Sequence, residues 1–183
     1  MTENRKQTEL PEAAIQDPRS GHSMDVRALF GLSILMSFVA FGLATKLYIW
    51  PAVRNRPRAD ALRPLLLLHA FRFVGLAFLI PGVVSPDLPI TFARPAAYGD
   101  LTTAILALLA IAALRSRLGI ILIWSFNILG SADLLYAFYH GNRIGLEPGL
   151  MGAAYFIPTV LVPLLLITHG LVFRILLKRD TRE

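Results

Sequence analysis

The sequence has no cysteine and little charge, and each shortage excludes a class of protein. Without cysteine the chain cannot form a disulfide framework, a metal–thiolate site or an iron–sulfur cluster. Charged residues make up 16% of its 183 residues, whereas ordinary soluble domains contain about 25%. Hydrophobic residues make up 55%. This excess also excludes a disordered chain, which needs a low hydrophobic content.

The hydrophobic residues are concentrated in five long runs. They cover about residues 26–50, 62–80, 96–114, 118–140 and 149–173. Each is close to the ~20 residues that a helix needs to cross ~30 Å of hydrocarbon. Within a bilayer, a helix satisfies all of its backbone hydrogen bonds internally. The sequence therefore predicts an all-α fold, a polytopic membrane helical bundle with five transmembrane helices in one domain over residues 26–177.

The flanking segments and the basic residues predict the orientation of this bundle. Residues 1–25 are expected to be a flexible polar N-terminal tail, and residues 178–183 a C-terminal tail. Lysine and arginine are most frequent in residues 46–63, 115–117 and 174–182, which alternating spans bring to one side. The positive-inside rule makes that side cytoplasmic. We expect a bacterial-type inner-membrane protein with its N-terminus outside and its C-terminus in the cytoplasm.

The net charge of +6 raises the question of nucleic-acid binding. The basic segment Arg54–Arg58 is short and has no interleaved aromatic residues. Orientation in the bilayer and contact with anionic lipid headgroups explain it more simply. The lipid bilayer is therefore an expected partner, and nucleic acid is not.

Ionisable residues inside the hydrophobic runs carry the functional signal, because each costs a few kcal/mol in hydrocarbon unless it is paired or faces water. Arg72 lies near the middle of the second run, and Asp133 lies at a similar depth in the fourth. We predict that these two residues form an ion pair and that Asp100 shares the same arginine. Other polar residues lie near this depth. The candidate ligand-binding residues are Arg72, Asp133, Asp100, Asn127, Tyr136 and Tyr155.

Two interpretations of this polar cluster remain open. The ion pair could serve only to fix the register of the helices. Alternatively, the cluster lines a cavity open to the outside, where it binds or conducts a small polar or anionic ligand or protons. The extra polar groups favour the cavity. An enzyme is less favoured, because no catalytic motif and no metal-ligand spacing occurs in the sequence.

His69 and His169 form a second constellation. If the second and fifth helices run in opposite directions, both imidazoles lie at a similar height in the inner half of the bundle. Two axial histidines at one height are typical of a haem b site. A bis-histidine haem protein that transfers electrons is therefore one alternative function.

A non-catalytic accessory subunit is the other alternative. Five short spans supply few residues for a private core, so a partner membrane subunit or a homo-oligomer is plausible. The outer segment from Pro81 to Pro95 is apolar for an exposed loop. We expect it either to fold back on the bundle, where it would cover the mouth of any cavity, or to lie in the headgroup region.

Two short segments resemble a known membrane-protein family. The run Gly75–Leu79 near an arginine, and the later Phe92-Ala93 and Ala97-Tyr98-Gly99-Asp100, are similar to DoxX-type proteins, four-helix membrane proteins that resemble accessory subunits of quinol oxidases. The resemblance includes no diagnostic cluster of residues, and the fifth span departs from the four-helix pattern. It therefore assigns neither an activity nor a cofactor.

Overall fold

The computed structural model describes residues 25–178, and within that range the protein is all-helical, without strands. Five helices are long and apolar enough to cross a membrane. They are α1 (Val26–Val53), α2 (Arg58–Leu79), α3 (Ile90–Ala112), α4 (Arg117–Arg143) and α5 (Ile157–Leu177). The prediction of an all-helical bundle with five such helices is confirmed. Apart from Asp25 and Lys178, the predicted tails lie outside the described residues.

Helix α1 is the least buried element of the bundle. The Asp25 carboxylate caps it by accepting a hydrogen bond from Arg27 N–H at 3.0 Å. The helix continues past residue 50 because a π-helical turn over Thr45–Ile49 precedes Pro51, which lies in the first turn of the short segment Trp50–Val53. Only 6% of its most apolar stretch is buried, against 33–50% for the other helices. One side of α1 therefore lies along the bundle and most of its surface is exposed.

Helix α2 changes its geometry where the arginine occurs. It is α-helical over Arg58–Ala70 and 3₁₀-helical over Phe71–Leu79. With three residues per turn, positions three apart lie directly above one another. Accordingly Arg72, Gly75 and Phe78 form the buried row of the 3₁₀ segment. A 3₁₀ run of this length is uncommon, and it directs the arginine, a glycine and an aromatic ring to the same neighbours.

Helix α3 begins at Ile90 and not near residue 96, so the predicted loop is confined to the residues before Ile90. The sequence interpretation treated Pro95 as a helix start. The helix instead starts five residues earlier and continues through this proline. Asp100 therefore lies ten residues inside α3, about 15 Å along the axis. That depth brings Asp100 level with Arg72.

The chain between α4 and α5 also differs from the predicted continuous span over residues 149–173. A 3₁₀ segment, Pro148–Tyr155, comes first. It is kinked at Gly152, where φ is 50°. The left-handed φ and the close approach of Val83 O both require glycine there. Helix α5 then begins with a π-helical turn over Ile157–Leu161 that contains Pro158.

The loop before α3 packs against this 3₁₀ segment. Ser85 N–H donates to Leu150 O and Ala153 N–H donates to Val83 O, each at 2.9 Å. These two bonds join the loop between α2 and α3 to the segment that precedes α5.

Two apolar cores are separated by a layer of polar residues. The core near the start of α2 is centred on Leu66, Phe126 and Val172, which are fully buried. The second core, near the start of α3, includes Phe92 and Leu134. The buried polar layer between the two cores consists of His69, Arg72, Asp100, Thr103, Asn127, Thr168 and His169.

A candidate site at a buried arginine

The guanidinium of Arg72 is completely enclosed by the protein. Nε donates to Asp100 Oδ1 and Nη2 donates to Asp133 Oδ2, each at 2.7 Å, and Nη2 also lies 2.7 Å from Asp100 Oδ1 in a salt bridge. Nη1 donates to Gly130 O at 3.1 Å and lies 3.3 Å from His169 Nε2. Each of the three guanidinium nitrogens therefore has at least one acceptor from the protein. The ion pair predicted between Arg72 and Asp133, shared by Asp100, is present.

Helix geometry explains why the three charges meet. Asp133 lies ten residues before the end of α4 at Arg143, and Asp100 lies ten residues after the start of α3. Each is therefore about 15 Å from the same end of the bundle. Arg72 lies seven residues before the end of α2 at Leu79. At the 3₁₀ rise of ~2.0 Å per residue this is about 14 Å.

A chain of hydrogen bonds links the guanidinium to His169 and His169 to Asn127. Because arginine only donates, His169 Nε2 accepts from it, and the ring proton resides on Nδ1. His169 Nδ1 then donates to Asn127 Oδ1 at 2.7 Å, and Asn127 Nδ2 donates to His169 O at 3.3 Å. Asn127 is fully buried. It therefore orients His169, although the sequence had suggested it as a ligand-binding residue.

Three glycines make room for this cluster, and the sequence interpretation missed their role. Each lies on one helix, directly beneath a polar side chain from the next helix in the chain. A Cβ atom at these positions would overlap that side chain. The pairs are Gly75 with Asp100 Oδ2, Gly99 with Asp133 Oδ1, and Gly130 with the His169 ring. Close approach of backbone to side chain is a frequent reason for glycine inside packed helices.

A cavity of about 490 Å³ extends from the two carboxylates to the C-terminal end of α4. Its walls are mostly apolar and include Phe30, Phe78, Phe92 and Phe138 among other residues. The side chains of Asp100 and Asp133, at its base, are 9% and 19% exposed, whereas that of Arg72 is 0% exposed. The charge that the cavity meets is therefore carboxylate and not guanidinium.

The two carboxylates retain unused hydrogen-bonding capacity. Asp100 Oδ2 and Asp133 Oδ1 accept no hydrogen bond from any residue between 25 and 178. When both are ionised, two negative charges face the single positive charge of Arg72. A buried site with one excess negative charge favours a proton or a bound cation, since an uncompensated charge away from water is costly.

The mouth of the cavity is formed by the start of α1 and the residues around the end of α4. Arg27 and Asn142 line it, and Arg27 forms a salt bridge with Glu147. This pair connects α1 to the segment before α5. Because the opposite charges of Arg27 and Glu147 cancel, this pair adds no net charge at the mouth.

The two tyrosines proposed from sequence lie away from the cavity. Tyr136 is exposed and stacks on His140 with ring centroids 5.5 Å apart. Tyr155 contacts Phe30 edge to face at 5.6 Å, and its hydroxyl lies 3.4 Å from Ser33 Oγ. Neither tyrosine contacts Arg72 or its two aspartates, so the cluster is narrower than the sequence predicted.

The two histidines proposed as haem ligands are in direct contact in this structure. Their ring centroids are 4.1 Å apart, which leaves no space for a porphyrin between them. Both His169 nitrogens have partners, and His69 Nε2 lies 3.0 Å from Thr168 Oγ1. These contacts do not favour the bis-histidine expectation. Within residues 25–178, no group of three or more His, Cys, Asp or Glu is suited to a metal ion.

One family model matches this chain. Its description reads "Domain of unknown function (DUF8737)", and the match covers residues 29–177, which include most of α1 and all of α2 to α5. Neither the curated proteins nor the solved structures contain a match to the chain.

Proposed function

We propose a function for this chain, which belongs to the DUF8737 family, from the geometry of its buried charges. It is a multi-pass membrane protein that binds a proton, or a small ligand bearing positive charge or hydrogen-bond donors, at Asp100 and Asp133. The observation that carries the proposal is that the guanidinium of Arg72 is enclosed among acceptors of the protein, while Asp100 and Asp133 line the cavity and each has one oxygen that accepts no hydrogen bond within residues 25–178.

The distribution of basic residues supports an outward-facing cavity. The C-terminal ends of α1 and α5 meet at one end of the bundle, where Lys178 Nζ donates to Arg54 O at 3.0 Å. Most basic residues of the described chain are near this end: Lys46, Arg54, Arg56, Arg58, Arg63, Arg115, Arg117, Arg174 and Lys178. The cavity mouth lies at the opposite end. By the positive-inside rule the basic end is cytoplasmic and the mouth faces outward.

Charge favours a proton or cation over the anion that the sequence also allowed. Two unit charges about 4 Å apart interact by ~4 kcal/mol at an effective dielectric constant of ~20. An anion in the cavity would meet that repulsion from each carboxylate, and the enclosed guanidinium of Arg72 does not line the cavity. A proton or a cation would instead balance the excess negative charge.

Packing favours binding over conduction in this conformation. Beyond the polar layer, Leu66, Phe126 and Val172 are 0% exposed and belong to a continuous apolar core. Such a core leaves no space for a file of water molecules. Passage across the bundle would require the helices to separate at this core.

Carbodiimide labelling tests the proposal. Dicyclohexylcarbodiimide reacts with protonated carboxyl groups and partitions into apolar sites, so we expect one major adduct at Asp133, located by mass spectrometry. Asp133→Asn should abolish that adduct. The matched control Asp87→Asn, at an exposed aspartate in the loop before α3, should leave it unchanged. Adducts confined to exposed carboxyl groups in the folded wild-type protein would contradict the proposal.

An accessory role remains a second proposal, and α1 is the observation that favours it. Leu32, Leu35, Met36 and Val39 are exposed on a helix that is barely buried in this chain. A partner helix would cover this surface. Purification in mild detergent should then retain a partner in fixed stoichiometry. A monodisperse single chain that binds its ligand would count against this role.

A further inference from the structure

We infer that the ligand of the cavity is an amphiphilic cation, in which an ammonium-like group is attached to an apolar body. The inference rests on the proposed function, because it takes Asp100 and Asp133 as the groups that balance the positive charge. It adds the chemical class of the rest of the ligand, which follows from the size of the cavity and the distribution of polarity along it.

The cavity is far larger than a proton or a simple metal cation requires. Its volume of about 490 Å³ lies within the ~300–1,000 Å³ typical of sites for drug-sized ligands. A small hydrated cation would need polar groups along the walls to replace its water. The carboxylates offer such groups only at the base.

Polar groups occur only at the two ends of the cavity. Asp100 and Asp133 lie at the base, and Arg27 and Asn142 lie at the mouth. The remaining lining residues between them are apolar, with phenylalanines from four different segments of the chain. A ligand that fills this space therefore places a charged group at the base and a hydrophobic body against the walls, where its burial is favourable.

The aromatic rings suit the apolar body of the ligand. Phe78 and Phe92 pack edge to face, with centroids 5.7 Å apart, and both line the cavity near the ends of their helices, on the side of the mouth. A ligand whose charged group reaches Asp100 and Asp133 would therefore place its apolar body against these rings. The base selects the sign of the charge, and the walls select an apolar body.

The mouth does not oppose a cation that approaches from the bilayer. Arg27 is the cationic side chain that lines the cavity, and its charge is compensated by Glu147. Helix α1 contributes Arg27 and Phe30 to the cavity while most of its own surface is exposed. An amphiphile dissolved in the outer leaflet therefore needs to displace only this weakly packed helix and one exposed salt bridge.

Three matched probes test the inference in lipid nanodiscs that contain the full chain. Tetraphenylphosphonium supplies a positive charge with an apolar body, tetraphenylborate supplies the same shape with a negative charge, and tetramethylammonium supplies the charge alone. We expect saturable binding of tetraphenylphosphonium, at least about tenfold weaker binding of tetramethylammonium, and no saturable binding of tetraphenylborate. Equal affinity for the two tetraphenyl ions, or for the two cations, would overturn the inference.

Variants assign the binding to the carboxylates. Asp133→Asn should weaken tetraphenylphosphonium binding about tenfold or more, Asp133→Glu should retain most of it, and Asp87→Asn should not change it. A pH series on the wild-type protein needs no variant: binding should weaken as the pH falls, because protons compete for the same oxygens. Binding that is independent of pH and of the Asp133 substitutions would contradict the inference.

The carbodiimide reaction separates failure of the inference from failure of the proposed function. Bound tetraphenylphosphonium should protect Asp133 from modification. If Asp133 is modified but tetraphenylphosphonium neither binds nor protects, the ligand class is wrong and the carboxylate site stands. If Asp133 is not modified under any condition, both proposals fail.

Discussion

Asp133 Oδ1 lies directly against Gly99, at the position that the Cβ of any other residue would occupy. The other oxygen of this carboxylate accepts a hydrogen bond from Arg72. The glycine therefore sets the distance between α3 and α4, and this distance sets the depth at which the carboxylate meets the guanidinium. The same arrangement recurs between α2 and α3 and between α4 and α5.

Gly99→Ala should displace the Asp133 carboxylate from its position. The added methyl group overlaps the carboxylate, so we expect a loss of stability of about 1–3 kcal/mol and a weaker carbodiimide reaction at Asp133. Gly170→Ala on α5 is the control, since a Cβ there meets no atom within 4 Å. Thermal unfolding in detergent measures both. Equal midpoints for the two variants would show that Gly99 does not support the site.

Arg72→Leu should be strongly destabilising, because it leaves two buried carboxylates without their counter-charge. Removing one partner of a buried ion pair costs about 3–5 kcal/mol. Adding Asp100→Asn and Asp133→Asn to this variant should restore much of the loss, since the amides carry no charge. The unfolding midpoint of the triple variant tests this. No recovery relative to Arg72→Leu alone would mean that shape, and not charge, determines the stability of the cluster.

The charge cluster was accessible to sequence reasoning because depth along a helix follows from counting residues. Arg72 and Asp133 lie at matching distances from the same end of the bundle, and an arginine among apolar neighbours requires a partner. The 3₁₀ geometry of α2 was not accessible. Apart from Gly75, no residue of Phe71–Leu79 strongly disfavours an α-helix. The tighter 3₁₀ turn is therefore attributed to tertiary packing.

The glycines and the histidines show what depth alone does not provide. Gly99 acts through a side chain of the next helix, so its role depends on which helices are neighbours and how each is rotated. Without the rotation of each helix about its axis, His69 and His169 resembled haem ligands. Two rings at the same height can either face each other across a gap or lie in contact, and depth alone does not distinguish these cases.

The purified protein should bind no haem. The His69 and His169 rings are in contact at 4.1 Å, and the apolar and polar partners around them fill the remaining space. Absorption spectra recorded before and after incubation with haem should therefore contain no Soret band attributable to specific binding. His169→Ala serves as the control for adventitious binding. A Soret band that this substitution removes would contradict the arrangement of the two rings.

The absence of cysteine makes the orientation directly measurable, because the natural sequence already provides a background without thiols. Asp87 lies in the loop before α3, on the side of the cavity mouth, and Asn55 lies in the turn between α1 and α2 at the basic end; both are exposed. With the mouth outside, Asp87→Cys should react with a membrane-impermeant maleimide in intact cells, and Asn55→Cys only after permeabilisation. The two variants should exchange their behaviour if the orientation is inverted. Labelling of both from one side would instead mean that α2, the helix between them, does not cross the membrane.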